Sequence, residues 1–184
     1  MNIVVCGMKH CGKSTHGRFV ANALNCPFWD TDDLLCDEHM ERTGKNLSPR
    51  EIYQQFDEEY FREIEAFVVK HLIEDNKTGT DYKVIALGGG VPNNKLLDGI
   101  LEKLGFFVYL KVDKDIIFKR IKRRGLPPFM QTDNPYATFL ELYREREQRY
   151  IELSDLTIAL NTEYSVNKTG KFIVTKLEEA LNER

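Results

Sequence analysis

Apolar positions along this chain alternate between two spacings. NIVVC at residues 2–6 is a continuous, largely β-branched run, the pattern of a strand buried on both faces. From Lys13 to Leu24 the spacing changes to three and four, with His16, Phe19, Val20, Ala23 and Leu24 as the expected packed face of a helix. Residues 27–29 (PFW) predict a brief second strand ending at Asp30-Thr31-Asp32-Asp33. Thr31 or Asp32 is a candidate cap for a helix reaching about Thr43. Ser48-Pro49-Arg50-Glu51 is a helix-start signature, opening a helix expected to run through Phe56, Phe61, Ile64, Phe67 and Val68 to Leu72.

Further strands are predicted over 82–87, ending at Gly88-Gly89-Gly90, over 106–110 and near 156–160. Helices are predicted near 93–103, 113–123, 136–150 and 166–182. The segment 124–136 (RGLPPFMQTDNPY) is rich in breakers and reads as a mobile loop. Strands alternating with helices predict an α/β protein, a parallel sheet covered on both faces. At 184 residues the whole chain, 1–184, fits one domain.

Composition narrows the classes. The 26 basic and 29 acidic side chains give a formal charge of −3, which supports neither a nucleic-acid partner nor a membrane surface. No apolar run approaches the about 18–20 residues of a membrane span, and MNIVVCG is too short for a signal sequence. Cys6, Cys11, Cys26 and Cys36 form no C-x-x-C pair and have no histidines at metal-ligand spacing. Reduced thiols in a soluble cytoplasmic protein are the expectation.

The chemistry begins in CGMKHCGKST, residues 6–15. Gly7-x-x-x-x-Gly12-Lys13-Ser14-Thr15 follows a strand and opens a helix, the context a Walker A phosphate loop requires. Gly7, Lys9, His10, Cys11, Gly12 and Thr15 supply the cradle. Lys13 adds positive charge at the β and γ oxygens, and the Ser14 hydroxyl is placed for Mg²⁺. The chain has no N-K-x-D, which favours ATP over GTP, and the strand before the triple glycine carries no terminal acid of the Walker B kind. A small-molecule kinase fits best. Asp30 and Asp32 sit at a strand's C-terminal end, where α/β ligand sites form. On an extended segment the two would point to one side, although capping would also account for one of them. Arg62 and Glu65 share a helix face, either as a surface ion pair or as part of a site. His10, His16, His39 and His71 show no catalytic pairing.

Taken in order and spacing, Gly7-to-Thr15, Asp30-Thr31-Asp32, Phe61-Arg62-x-x-Glu65, Gly88-Gly89-Gly90 and Arg146 resemble the shikimate kinase family, as do Val108-Tyr109-Leu110 and Asp155-Leu156-Thr157-Ile158. The resemblance covers nearly the whole chain. It implies a three-layer α/β/α P-loop kinase fold with a five-stranded parallel sheet, like that of nucleoside monophosphate kinases. It implies ATP and Mg²⁺ as cofactors, a cytoplasmic monomer, and phosphoryl transfer to the 3-hydroxyl of shikimate.

Within that pattern Asp30 serves the Mg²⁺ shell with Ser14, while Asp32 meets the acceptor hydroxyls and takes a proton. Arg62, steadied by Glu65, grips the acceptor carboxylate; Gly88, Gly89 and Gly90 lie against the acceptor. Arg146 is the second arginine, with Arg144 and Arg149 as near competitors. Arg120 packs on adenine, and Asn161 with Thr162 lies on its other side. The family's lid, about 122–136 here, carries an Arg-Pro whose arginine falls on Pro127. Arg123 and Arg124 are the candidate replacements. Glu147-Gln148-Arg149-Tyr150 also stands where the family tends to have a proline before the tyrosine. Another small anionic hydroxylated acceptor, or a nucleotide-binding regulatory module, remains open on the sequence.

Overall fold

A computed structural model describes residues 1–75, 83–127, 130–162 and 164–183. Tyr82, Pro128 and Phe129, which belong to the predicted third strand and lid, lie outside the described residues. Among the described residues there are five strands, β1 (Asn2–Cys6), β2 (Phe28–Asp30), β3 (Lys83–Ala86), β4 (Phe106–Val112) and β5 (Leu156–Leu160). They form one parallel sheet in the order β2-β3-β1-β4-β5. β1 lies at its centre, buried along its whole length, as its continuous apolar run requires. The chain leaves β1 for one edge and later returns on the other side of it. The crevice beyond the C-terminal ends of β1 and β3 is therefore where such a sheet binds ligands.

The α-helices among the described residues are α1 (Lys13–Ala23), α2 (Thr31–Thr43), α3 (Pro49–Gln55), α4 (Glu58–Asp75), α5 (Lys114–Arg124), α6 (Pro135–Leu153) and α7 (Val166–Asn182). α1 packs against α7, and α2 against α4. On α1 the buried residues are His16, Gly17, Val20 and Ala21; the predicted Ala23 is exposed, because the buried stripe lies one step round the helix. Among the described residues no helix is long and apolar enough to cross a membrane. Cys6, Cys11, Cys26 and Cys36 are free thiols.

Three expectations need correction. The long helix opened by Ser48 is two helices. Its capping box forms as predicted, but Phe56 turns extended (φ −115°, ψ 167°), and Asp57 starts α4 by accepting from the Tyr60 N–H at 2.7 Å. His39 closes this corner from α2. It is fully buried, with Nδ1 2.9 Å from the Tyr60 hydroxyl, and has a structural role.

The predicted helix over 93–103 is instead three short 3₁₀ turns, Val91–Asn93, Lys95–Leu97 and Leu101–Leu104. Leu97, Leu101 and Leu104 keep a helical spacing and are buried, while Asn94 breaks the backbone and caps the second turn. In the 124–136 segment, Met130 is only 2% exposed, so part of the expected mobile loop is anchored in the core.

Candidate active site

The loop from Gly7 to Gly12 joins the centre of the sheet to α1. Gly12 caps α1 at φ 100°, and His10 also takes a left-handed φ of 68°. These conformations let the backbone curl back on itself so that its N–H groups converge on one concavity at a helix N-terminus. Lys13 spans the loop, donating from Nζ to the Gly7 carbonyl at 2.9 Å and to the Met8 carbonyl at 3.2 Å. Cys11 is buried beneath the loop, and burial pushes its thiol pKa up. It supports the cradle from below.

Ser14 and Asp30 meet across the crevice, the Ser14 hydroxyl donating to Asp30 Oδ2 at 2.6 Å. A hydroxyl and a carboxylate are hard oxygen donors. They suit an ion that keeps several waters and takes its other ligands from phosphates, so the residues fit Mg²⁺.

Asp30, rather than Thr31 or Asp32, is the N-cap of α2, its Oδ1 accepting from the Asp32 N–H at 3.1 Å. Asp32 therefore stands in the first turn of α2, not on an extended segment, and is brought to Asp30 by the cap. Thr31 is buried and accepts from the Gly88 N–H at 2.8 Å, tying the end of β2 to the triple glycine. Burial pushes the Asp32 carboxyl pKa above its usual value, opposed chiefly by Lys13 and reinforced by Asp30. Asp33 stays at the surface, 3.6 Å from Arg18.

The triple glycine forms the floor between two charged groups. A Cβ on Gly88 would come within 2.7 Å of Asp32 Oδ1, and one on Gly90 within 2.8 Å of the Arg62 guanidinium. Gly89 faces the Lys9 N–H of the phosphate loop. Arg62 is no surface ion pair. It donates to Glu65 Oε2 at 2.8 Å, and Glu65 is 5% exposed. Burial raises the Glu65 pKa, and Arg62 with Asn94 counters it. The Asn94 amide donates both to Glu65 Oε2 (3.0 Å) and to the Arg62 carbonyl (2.8 Å).

Of the three competing arginines on α6, Arg144 is exposed and Arg149 is engaged elsewhere, with Pro92, Asp98, Glu102 and Glu152. Arg146 is the one at the floor. Burial drives the Tyr150 hydroxyl pKa up, and the Arg146 guanidinium hydrogen-bonded to it pulls the other way. Tyr150 in turn donates to the Gly89 carbonyl at 2.7 Å.

On the nucleotide side Arg120 donates to the His10 carbonyl at 3.0 Å. Arg124, one turn on along the same face, also acts on His10. Burial, then Lys9, Arg124, Lys13 and Arg120, lower the His10 pKa to about 4, which keeps the imidazole neutral. Arg123 instead lines an outer groove with Asp115, Phe118, Lys119 and Lys122. Of the two proposed replacements for the lid arginine, Arg124 is the one whose charge acts on His10 of the loop. Asn161 and Thr162 are exposed and follow β5 at the same end of the sheet.

The shikimate kinase family model matches residues 9–181. The chain belongs to the shikimate kinase family. It is thus a kinase, a phosphotransferase that draws on ATP. A family relative, the shikimate kinase of Clostridium botulinum (strain 657 / Type Ba4), is 36% identical over 168 residues, covering 90% of this chain and 91% of that one. Two solved structures share the fold. The shikimate kinase from Acinetobacter baumannii in complex with shikimate superposes with a TM-score of 0.77 at 24% identity, covering 97% of this chain and 93% of that one. The deoxyadenosine kinase from M. mycoides with bound dCTP has a TM-score of 0.54 at 16% identity, covering 97% and 100%.

The sequence motifs contain Thr31 and Tyr150 but gave neither a role in this site, and Asn94 lay outside them. Tyr150 also stands at i+4 from Arg146, on one face of the helix. Thr31 and Asn94 act through contacts with residues far away in the chain.

Proposed function

We propose that the chain transfers the γ-phosphoryl group of ATP to the 3-hydroxyl of shikimate, giving shikimate 3-phosphate and ADP. The observation that carries this is the three-glycine floor, with the Asp32 carboxylate at one end and the Arg62 fork at the other. Two residue steps span at most about 7 Å. That suits a small ring with a reacting hydroxyl on one side and a carboxylate on the other, and the planar fork of Arg62 takes a carboxylate bidentately.

In this reading the acceptor hydroxyl oxygen bonds to the γ-phosphorus as the bond to the β,γ-bridging oxygen breaks. The hydroxyl proton passes to Asp32 and then to solvent. Loop N–H groups, Lys13 and the α1 N-terminus stabilise charge on the transferring group. Ser14 and Asp30 would hold Mg²⁺, which when bound neutralises the phosphate oxygens. Arg120 and Asn161 flank the adenine, Arg146 joins Arg62 on the acceptor, and Arg124 reaches the phosphates from the segment 122–136 acting as a lid. We place the chain in the cytoplasm, as a monomer.

ADP release measured in parallel with shikimate, gluconate and AMP tests the proposal. Turnover with shikimate alone supports it; turnover only with another acceptor, or ATP binding without turnover, refutes it.

A further inference from the structure

Residues 89–94 run between two helices and are fastened to both. On one side the Asn94 amide holds the Arg62 carbonyl and Glu65. On the other, three α6 side chains take the segment in turn: Glu145 accepts from the Asn93 amide at 3.2 Å, Arg149 Nε donates to the Pro92 carbonyl at 3.1 Å, and Tyr150 donates to the Gly89 carbonyl. Arg149 is braced further by carboxylates. Its terminal nitrogens lie 3.9 Å from Asp98, 3.7 Å from Glu102 and 3.5 Å from Glu152.

Those carboxylates are about half exposed or more (67%, 52% and 49%), so the pairs contribute little to folding stability. What they do is geometric. They draw the fork across residues 92–102, a stretch of short 3₁₀ turns without a regular helix to stiffen it, and keep Nε on the Pro92 carbonyl. Tyr150, next in sequence, holds the other end of the same four residues.

We propose that Arg149 is a positioning residue for the acceptor site. It locks the glycine floor onto α6 and thereby fixes the separation of Arg62 from Arg146. The kinetic consequence rests on the acceptor reading above, whereas the tether itself does not.

Arg149→Leu keeps much of the stem and removes the fork. The expected result is an acceptor KM about 5- to 10-fold higher, with the ATP KM and kcat within about twofold. Arg149→Lys keeps the cation but cannot hold Pro92 and the carboxylates together, so it should recover little of the loss. Full rescue by lysine would mean that charge alone matters and would overturn the proposal. Should Arg149→Leu not fold, the exposed pair Asp98→Asn with Glu102→Gln should raise the acceptor KM about threefold; no change overturns the proposal. Hydrogen exchange supplies an arm independent of the acceptor. The amides of Val91, Asn93 and Asn94, which donate to the carbonyls of Gly88, Gly90 and Val91, should exchange faster in Arg149→Leu than in the parent. If the parent does not phosphorylate shikimate, the acceptor reading fails, and exchange still decides the tether: unchanged rates at these amides would refute it.

Discussion

Gly90→Ala is a sharp perturbation of the acceptor site, because backbone and side-chain effects separate there. Gly90 has φ −94° and ψ −17°, a conformation any residue adopts, so alanine brings no backbone strain. Its Cβ would lie 2.8 Å from Arg62 Nη1 and 3.5 Å from Nη2. The far end of Arg62 must therefore swing away, which the rest of the fold can accommodate. The guanidinium then loses its 2.8 Å bond to Glu65 and its aim across the floor. The charge-assisted hydrogen bond from that fork to the acceptor carboxylate, worth about 1.5–3 kcal/mol, is lost with its aim. At about 1.4 kcal/mol per tenfold, the shikimate KM should rise roughly 10- to 100-fold. The ATP KM should stay within about twofold, since the phosphate loop is untouched. Glu65 keeps Asn94 as a partner, so the Tm should fall by only a few degrees, about 2–4 °C per kcal/mol for a chain this long. Steady-state kinetics with each substrate varied, alongside a melting curve, reads all three. A folded variant with an unchanged shikimate KM would show that Arg62 does not hold the acceptor.

Asp32→Asn should lower kcat by about 10²–10⁴-fold and at the same time raise the Tm of the ligand-free protein. The sign follows from linkage. Burial places the folded-state pKa of Asp32 above its ordinary 3.8, so stability is lost as the pH rises from 3.8 through the folded value, and at neutral pH the buried charge is a cost the amide lacks. A lowered Tm would contradict this. In the parent enzyme the acid limb of kcat/KM for shikimate should have its midpoint above 3.8 and disappear in the Asn variant. For the lid, Arg124→Ala should reduce kcat by at least about 10²-fold, with ATP affinity changed far less. Arg123→Ala, on the outer groove, should stay within about twofold; equal losses from both would refute the assignment.

The strands were legible because central parallel strands are buried on both faces and read as unbroken apolar runs. β4 runs two residues beyond its predicted end because β5 pairs with it as far as Lys111 and Val112, information held in β5 and not in β4. The break between α3 and α4 was hidden because the apolar spacing continues from Phe56 into α4, while the decisive signal is a single capping acid, Asp57. The leucines of 97–104 mimic a helix for the same reason: burial imposes a spacing that 3₁₀ turns also satisfy. In the site, the phosphate loop could be read from local spacing alone. The choice among Arg144, Arg146 and Arg149 could not, since it depends on which face of α6 meets Gly89 and which meets residues 92–102. The choice between Arg123 and Arg124 likewise turns on the side α5 presents to His10.

His10 stays uncharged because it is partly buried and because Lys9, Arg124, Lys13 and Arg120 already crowd its surroundings. On a chain with a net charge of −3, this crevice concentrates cations whose mutual repulsion a bound anion relieves. Simple oxyanions such as sulfate or inorganic phosphate will therefore settle there when ATP is absent. They should raise the melting temperature by mass action and compete with the nucleotide. The apparent affinity of this enzyme for ATP then becomes a property of its buffer as much as of its sequence, and kinetic constants measured in phosphate and in a non-coordinating buffer should differ accordingly.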